Sequence, residues 1–377
     1  MVDDADEQLE TGHTVPGLYT FFRGRAALTA LLKALGIGRE DLVATQAFTC
    51  VAVPEAILAS GARPLMVDIE ENGINMCSQD LAEKLNDRVR AIVIQHTFGT
   101  PANMDPLLKM AKERGLPVIE DCCHTFESTY RGRTVGTFGF GAFYSFEWGK
   151  PVIAGVGGGL RVNDKSLINA ISDAVSGLNV PPLKVRARMA VQYQLHKILY
   201  HPRLYWPVRS AYRFASSLGL AQGNFNPVDQ GNPSPEFGWR MLPAAEHRLR
   251  RMWSARKKVD QHSREVVLAY REKAEFTSIR PVAEPEGSEV IYARFPLRVP
   301  DKQGLLDQAR RAGVELADWY KTPIHPLPVD NSQAVNYNAG SCPNAEQRCR
   351  ELVSLPVGKK VGAREIDRAV ALLNRYA

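Results

Sequence analysis

The sequence predicts an α/β protein with a mostly parallel sheet covered by helices on both faces, followed by a smaller C-terminal α+β unit. Three observations carry this reading. Between Phe21 and Asn163, short apolar runs alternate with segments whose apolar residues recur at helical spacing. Strands separated by helices of that length make a parallel sheet, because a parallel pair needs a long crossover. The alternation then stops, and beyond Pro243 a long amphipathic helix, a strand and further helices form a second unit. The expected division is a large unit over 1–240, with a helical insertion near 170–235, and a small unit over 241–377.

The elements follow in order. GRAALTALLKALGIG opens the first helix, which Gly36 stops. DLVATQAF reads as a strand, VAVPEAILASG as a helix ending at Gly61, and RPLMVDI as the next strand. QDLAEKLND is a helix, RAIVIQHTF a strand, MDPLLKMAKERG a helix and LPVIEDC a strand. The acidic first dozen residues are expected to fray. From Pro181 to Phe214 the chain is helical in tendency, basic and aromatic. Such a stretch can lie on a membrane surface or bind an anionic substrate. Pro202 and Pro207 interrupt a long amphipathic face, so the expectation is a helical excursion packing on the subunit or its mate. The Gly-, Asn- and Pro-rich segment 223–238 reads as a loop of functional interest. One helix is expected from Pro243 to Lys273, then strand EVIYARFPLRV, helix KQGLLDQARRAG and a closing helix near REIDRAVALLNRYA.

Composition narrows the function classes. The 377 residues, 45% hydrophobic and 23% charged, fit a soluble globular protein long enough for two domains. A net charge of +6 over this length does not single out a polyanion partner, and it suits a substrate carrying phosphate or carboxylate. Six cysteines form no CxxC pair and no secretory apolar segment opens the chain, so a reduced cytoplasmic protein is expected. No apolar run approaches the roughly 20 residues of a membrane span. Nothing reads as a nucleic-acid motif, and the scattered histidines show no metal-ligand spacing.

Two segments carry chemistry. VIEDCCHTFES (118–128) ends a strand in Glu120 and Asp121, which places carboxylates at the crevice where open α/β sheets bind ligands. GAFYSFEWGKPVIAGVGGGLRV (141–162) holds a strand, the lone Lys150 and four glycines within five positions, 155 and 157–159. The glycines do not satisfy the G-x-G-x-x-G dinucleotide fingerprint and lead into a strand, not a helix.

With RGRAAL, GARPLMVDI, FGTPANMD, PVIEDCCHTFES, SFEWGK, GWRM, DWYKTPIHPLP and SLPVG in that order, the chain resembles the DegT/DnrJ family of pyridoxal-phosphate (PLP) sugar aminotransferases. The resemblance covers about four-fifths of the chain and leaves 165–235 largely outside. It implies the aspartate-aminotransferase-like fold (PLP-dependent transferase fold type I) and a homodimer with shared active sites. Carried over, it makes Lys150 the lysine that holds PLP covalently and Asp121 the partner of the pyridine nitrogen. His124 falls where the family has glutamine or histidine near the cofactor's phenolic oxygen. Ser145 matches the phosphate-binding serine, and Gly24 with the N–H groups of Arg25 and Ala26 the second phosphate anchor. Arg240 matches the segment lent to the partner's site, and His96, Tyr320, Lys321 and His325 fall in segments expected to contact the acceptor.

The sequence departs from that pattern in four places. Gly24-Arg25 stands where Gly-Thr or Gly-Ser is usual, and Cys50 aligns with the aromatic that stacks on the cofactor ring, leaving Cys50 or Phe48 to face it. Gly238 aligns with the asparagine that crosses to the partner's phosphate, and Val156 interrupts the Gly-Glu-Gly-Gly run. Arg25 is expected to supply the phosphate contact that Gly238 lacks, since guanidinium pairs bidentately with phosphate. The implied activity is transfer of an amino group from an amino acid, L-glutamate, to a keto-sugar, which the resemblance makes nucleotide-linked. The competing readings are a cofactor-degenerate regulator or scaffold and a PLP-dependent dehydratase; dehydratases of the family replace the lysine, and Lys150 argues against that one.

Overall fold

The computed structural model describes residues 15–199, 204–217 and 234–376. A seven-stranded sheet is built in chain order from β1 (Tyr19–Phe21), β2 (Leu42–Gln46), β3 (Arg63–Val67), β4 (Val89–Gln95), β5 (Val118–Asp121), β6 (Gly141–Ser145) and β7 (Gly158–Val162). Its spatial order is β1-β7-β6-β5-β4-β2-β3. The run from β6 to β3 is parallel throughout, and β7 and β1 extend it antiparallel.

Period-two alternation buries both faces of this sheet. On β4, Ala91 and Val93 join one core cluster while Ile92 and Ile94 join another. The first cluster is closed by α1 (Gly24–Ala34), α2 (Ala52–Ser60) and later α5 (Ile168–Ser176), through Leu28, Leu31, Ile57 and Ile171. The second is closed by α3 (Ser78–Lys84) and α4 (Met104–Glu113), through Leu81, Met104 and Leu107.

The chain then forms α6 (Leu183–Leu199), α7 (Tyr205–Ser217), α8 (Pro243–Ser254) and α9 (Arg256–Lys273). The helix expected over 243–273 is therefore two, parted at Ala255, where neither proline nor glycine explains the break. Pro207 sits in the first turn of α7, where its missing N–H costs nothing, so it does not interrupt that helix. Pro202, the first dozen residues and 223–233 of the expected functional loop lie outside the described residues.

An antiparallel sheet of β8 (Arg280–Pro281), β9 (Arg294–Arg298) and β10 (Leu352–Pro356) completes the chain with α10 (Lys302–Ala312), α11 (Pro343–Glu351) and α12 (Ala363–Tyr376). Its core gathers Tyr270, Phe295, Leu305, Leu355 and Leu373, together with Trp206 from α7. Helix α11, absent from the sequence expectation, packs through Ala345 and Cys349 into a third cluster with Phe48, Ile69 and Phe98 at the edge of the large sheet. No helix among the described residues is long and apolar enough to cross a membrane.

Candidate active site

The ends of β6 and β7 meet the first turn of α1. A methyl group on Gly158 would lie 2.3 Å from the Arg23 carbonyl carbon, and one on Gly24 would lie 2.9 Å from the Tyr144 carbonyl oxygen and 3.4 Å from Ser145 Cβ. Only glycines let backbone approach backbone this closely. Ser145 Oγ is buried at this junction and has no hydrogen-bond partner among the described residues. A buried orphan hydroxyl beside a helix N-terminus matches the needs of a phosphate, which accepts from both. The residues therefore fit a phosphorylated cofactor.

Two expected phosphate contacts are placed differently. The Ala26 N–H donates to the Arg23 carbonyl oxygen at 3.1 Å, tightening the first turn of α1. The Arg25 guanidinium is buried and paired through Nη1 with Glu55 of α2, so the expectation that it lies on the phosphate is not met. Beside it, Arg23 pairs with Glu147 and, at 2.6 Å, with Glu236. Burial pushes the Glu55 carboxyl up to about 7, against the pull of Arg25 and Arg23.

Asp121 ends β5, buried, with Oδ1 accepting the Cys123 N–H at 2.9 Å. Burial raises its pKa above the ordinary carboxylate value, while the Cys123 N–H and Lys150 pull it down. Three residues on, His124 Nδ1 accepts the Phe98 N–H at 3.1 Å, and its Nε2 lies 2.9 Å from Lys150 Nζ. Phe98 reaches this position from a left-handed backbone (φ 55°), and its ring stacks on His124 at 5.6 Å and 8°. Burial, then the Lys150 charge, drives the His124 pKa well below its ordinary value. A neutral imidazole that accepts at Nδ1 carries its proton on Nε2. That ring nitrogen faces the Lys150 amine, so the imidazole positions the side chain that would react with the cofactor aldehyde.

Across from this pair, residues 324–325 run parallel to Thr49-Cys50, with His325 opposite Cys50. Cys50 lies within electrostatic reach of both Lys150 and Arg25. Phe48 is fully buried and packs edge-on against Tyr320 at 5.1 Å. Tyr320 stacks on Phe98 and leans on His325, so both residues join the site wall. Lys321 is paired with Asp318 at 2.9 Å.

His96 donates its backbone N–H to the Asp121 carbonyl, but its side chain turns into the protein. It is fully buried, with Nε2 on Glu120 at 3.2 Å and Nδ1 accepting the Ala102 N–H, so the expected substrate contact is replaced by a structural one. Together with Cys122, these residues are close enough to hold a metal ion. Glu120, however, already accepts three backbone N–H bonds, from Gly136, Phe138 and Gly139, and this network is satisfied without a cation. Arg240 is exposed, with its guanidinium on the Leu178 carbonyl at 3.3 Å and its backbone N–H on the Asn179 carbonyl at 2.9 Å.

Residue-by-residue reading missed three contributors. Phe98 had a signal in the FGT run, which was matched only as a motif. Glu55 gave none, because nothing local announces a long-range partner. Trp148 stacks on His196 of α6 at 4.0 Å, which ties the lysine loop to a helix that sequence placed outside the matched region.

Comparison with known proteins agrees with this geometry. GDP-perosamine synthase of Escherichia coli O157:H7 is 38% identical over 148 residues, 39% of this chain and 41% of that enzyme, so this match spans under half of the relative. The dTDP-3-amino-3,6-dideoxy-alpha-D-galactopyranose transaminase of Aneurinibacillus thermoaerophilus is 26% identical over 94% of this chain and 84% of its own. The fold matches that of a putative sugar aminotransferase from Streptococcus pneumoniae, solved in its PMP form, with a TM-score of 0.74, 18% identity and coverage of 97% and 92%. The model of the DegT/DnrJ/EryC1/StrS aminotransferase family matches residues 9–182 and 247–374, and the chain belongs to that family.

Proposed function

We propose that this chain moves an amino group from glutamate to a keto-sugar, nucleotide-linked, with Lys150 as the catalytic base. The single observation that carries the reading is the 2.9 Å contact between Lys150 Nζ and His124 Nε2, with buried Asp121 three residues before that histidine. The names of the two sequence relatives, both built on nucleotide-linked amino sugars, support the acceptor class.

PLP, when bound, supplies the electron-accepting ring that stores the amino group between the two half-reactions. The protein does the rest. Ser145 Oγ and the N-terminus of α1 would bind the phosphate, and Gly24 and Gly158 let that helix end approach the strands closely enough to do so. Asp121, whose burial makes it seek a proton-bearing partner, holds the pyridine N–H. His124, fixed by the Phe98 N–H, orients Lys150 and would be the residue to hydrogen-bond the cofactor's phenolic oxygen. Lys150 Nζ takes the proton from the donor's α-carbon and returns one on the way back. Cys50, Tyr320 and His325 form the wall against which the acceptor sits.

The reading includes a large cofactor-binding unit over 1–240 and a small unit over 241–377, in a cytoplasmic homodimer. Six unpaired cysteines support a reducing compartment. The exposed Arg240 supports a side chain lent to the partner's site. Incubating the PLP-loaded protein with glutamate, with glutamine as comparison, tests the first half-reaction without knowledge of the acceptor. Conversion of the cofactor to its amine form is expected; no conversion with any amino donor would return the chain to the regulator reading. Keto-sugars with and without a nucleotide then test the second half.

A further inference from the structure

The helices that the family model passes over, within 183–246, are held at two points. On its inner face α6 packs against the lysine loop: Trp148 stacks on His196 at 4.0 Å and on Tyr193 at 5.8 Å, and Met189 is buried in the core beneath. Helix α7 is anchored by Trp206, whose Nε1 donates to the Val314 carbonyl at 2.8 Å and whose ring enters the C-terminal core. Nothing in the described residues covers the other side. Val191, Leu195 and Ile198 recur at i, i+4 and i+7, so they form one outward stripe, and they are 60%, 51% and 74% exposed. Leu183, 73% exposed, stands at the N-terminal end of the helix, to one side of the stripe. Lys184, Arg186 and Lys197 are exposed along the same helix.

The charge of this region is one-sided. From Ala174 to Val228 the sequence holds no Asp or Glu and carries seven Lys and Arg. An ordinary solvated helix mixes both signs, and a helix that docks on protein alone has no need to lack acids over such a length. An outward apolar stripe among basic side chains is the arrangement by which a helix lies in the interface of an anionic bilayer, its apolar residues below the headgroups and its cations among them.

We propose that the outer face of α6 binds the surface of an anionic membrane, which would set the Lys150 loop one helix thickness from the lipid headgroups. The sequence expectation of a helix packing on its own subunit or its mate describes the inner face only. This inference does not depend on the catalytic reading, and its test does not measure turnover.

The test is co-sedimentation of the full-length, PLP-loaded protein with vesicles of phosphatidylcholine alone or mixed equally with phosphatidylglycerol. Binding to the anionic vesicles is expected to exceed binding to the neutral ones by about tenfold or more, and to weaken as salt is raised from about 0.05 to 0.5 M. Replacing Val191, Leu195 and Ile198 together by serine should abolish it, as should Lys184→Glu, Arg186→Glu and Lys197→Glu together, with thermal melting unchanged in both. Equal or absent binding of the wild type to the two vesicle types would overturn the proposal, and so would a serine variant that binds like wild type. Analytical ultracentrifugation of the serine variant supplies the remaining check: an unchanged oligomeric state is expected, and a smaller species would assign the stripe to a second copy of the chain and overturn the membrane reading.

Discussion

His124 Nε2 lies 2.9 Å from Lys150 Nζ while the same ring accepts the Phe98 N–H through Nδ1. One backbone N–H thus fixes the imidazole tautomer, and the ring in turn positions the lysine side chain. Removing the ring should leave the lysine in place and misdirect it. His124→Ala is expected to slow the half-reaction with glutamate by about 10–100-fold, the worth of one strong hydrogen bond, and His124→Gln to recover most of that loss. Stopped-flow absorbance of the cofactor reads both. Equal rates in His124→Ala and wild type would remove His124 from the account.

Ser145 offers a cleaner separation of stability from binding. Its buried Oγ has no partner among the described residues, so Ser145→Ala should leave the melting temperature of the cofactor-free protein essentially unchanged. The dissociation constant for PLP should rise about 10–100-fold, through loss of a hydrogen bond to a charged group. A variant that binds PLP as tightly as wild type would show that the phosphate sits elsewhere.

These two residues also mark what was legible in the sequence. Helix and strand periodicity gave the order of the large sheet's elements, because each strand alternates between two cores and each helix closes one of them. Asp121, His124, Ser145 and Lys150 were readable because they sit in short, ordered motifs. The partners of Arg25 were not, since Glu55 lies on a separate helix and only the fold brings it near. His96 was misplaced for the converse reason: a histidine at a strand end looks like a site residue until its side chain is seen buried on Glu120. The break at Ala255 left no trace because the sequence around it is helix-forming on both sides.

Gly158 is a packing requirement. A methyl there would lie 2.3 Å from the Arg23 carbonyl carbon, so α1 must move away from β7. Gly158→Ala is expected to destabilise the protein by about 1–3 kcal/mol and to weaken PLP binding with it. Gly238, around which the same methyl would meet nothing within 4 Å, is the matched control, and Gly238→Ala should be near neutral. Thermal melting with and without PLP checks the pair; equal melting of the two variants would refute the close approach.

Glu55 predicts a pH dependence whose sign follows from burial. Its carboxyl is pushed up to about 7 in the folded chain, from an ordinary value of 4.5, so the folded state holds the proton more tightly than the unfolded one. The stability this contributes is complete below about pH 4.5 and is lost as pH rises through about 7, on the order of 3 kcal/mol in all. Glu55→Gln should flatten the denaturation free energy between pH 5 and pH 7.5 relative to wild type, at roughly the window those values set. Parallel pH curves for the two proteins would show that Glu55 stays ionised against Arg25.

The central claim rests on Lys150, and visible absorption tests it most directly. Wild-type protein mixed with PLP should develop the absorbance band of lysine-bound cofactor, and glutamate should bleach it as the amine form accumulates. Lys150→Ala should bind PLP without the band and without bleaching, at unchanged melting temperature. A band of wild-type size in Lys150→Ala, or no band in wild type, would contradict the account.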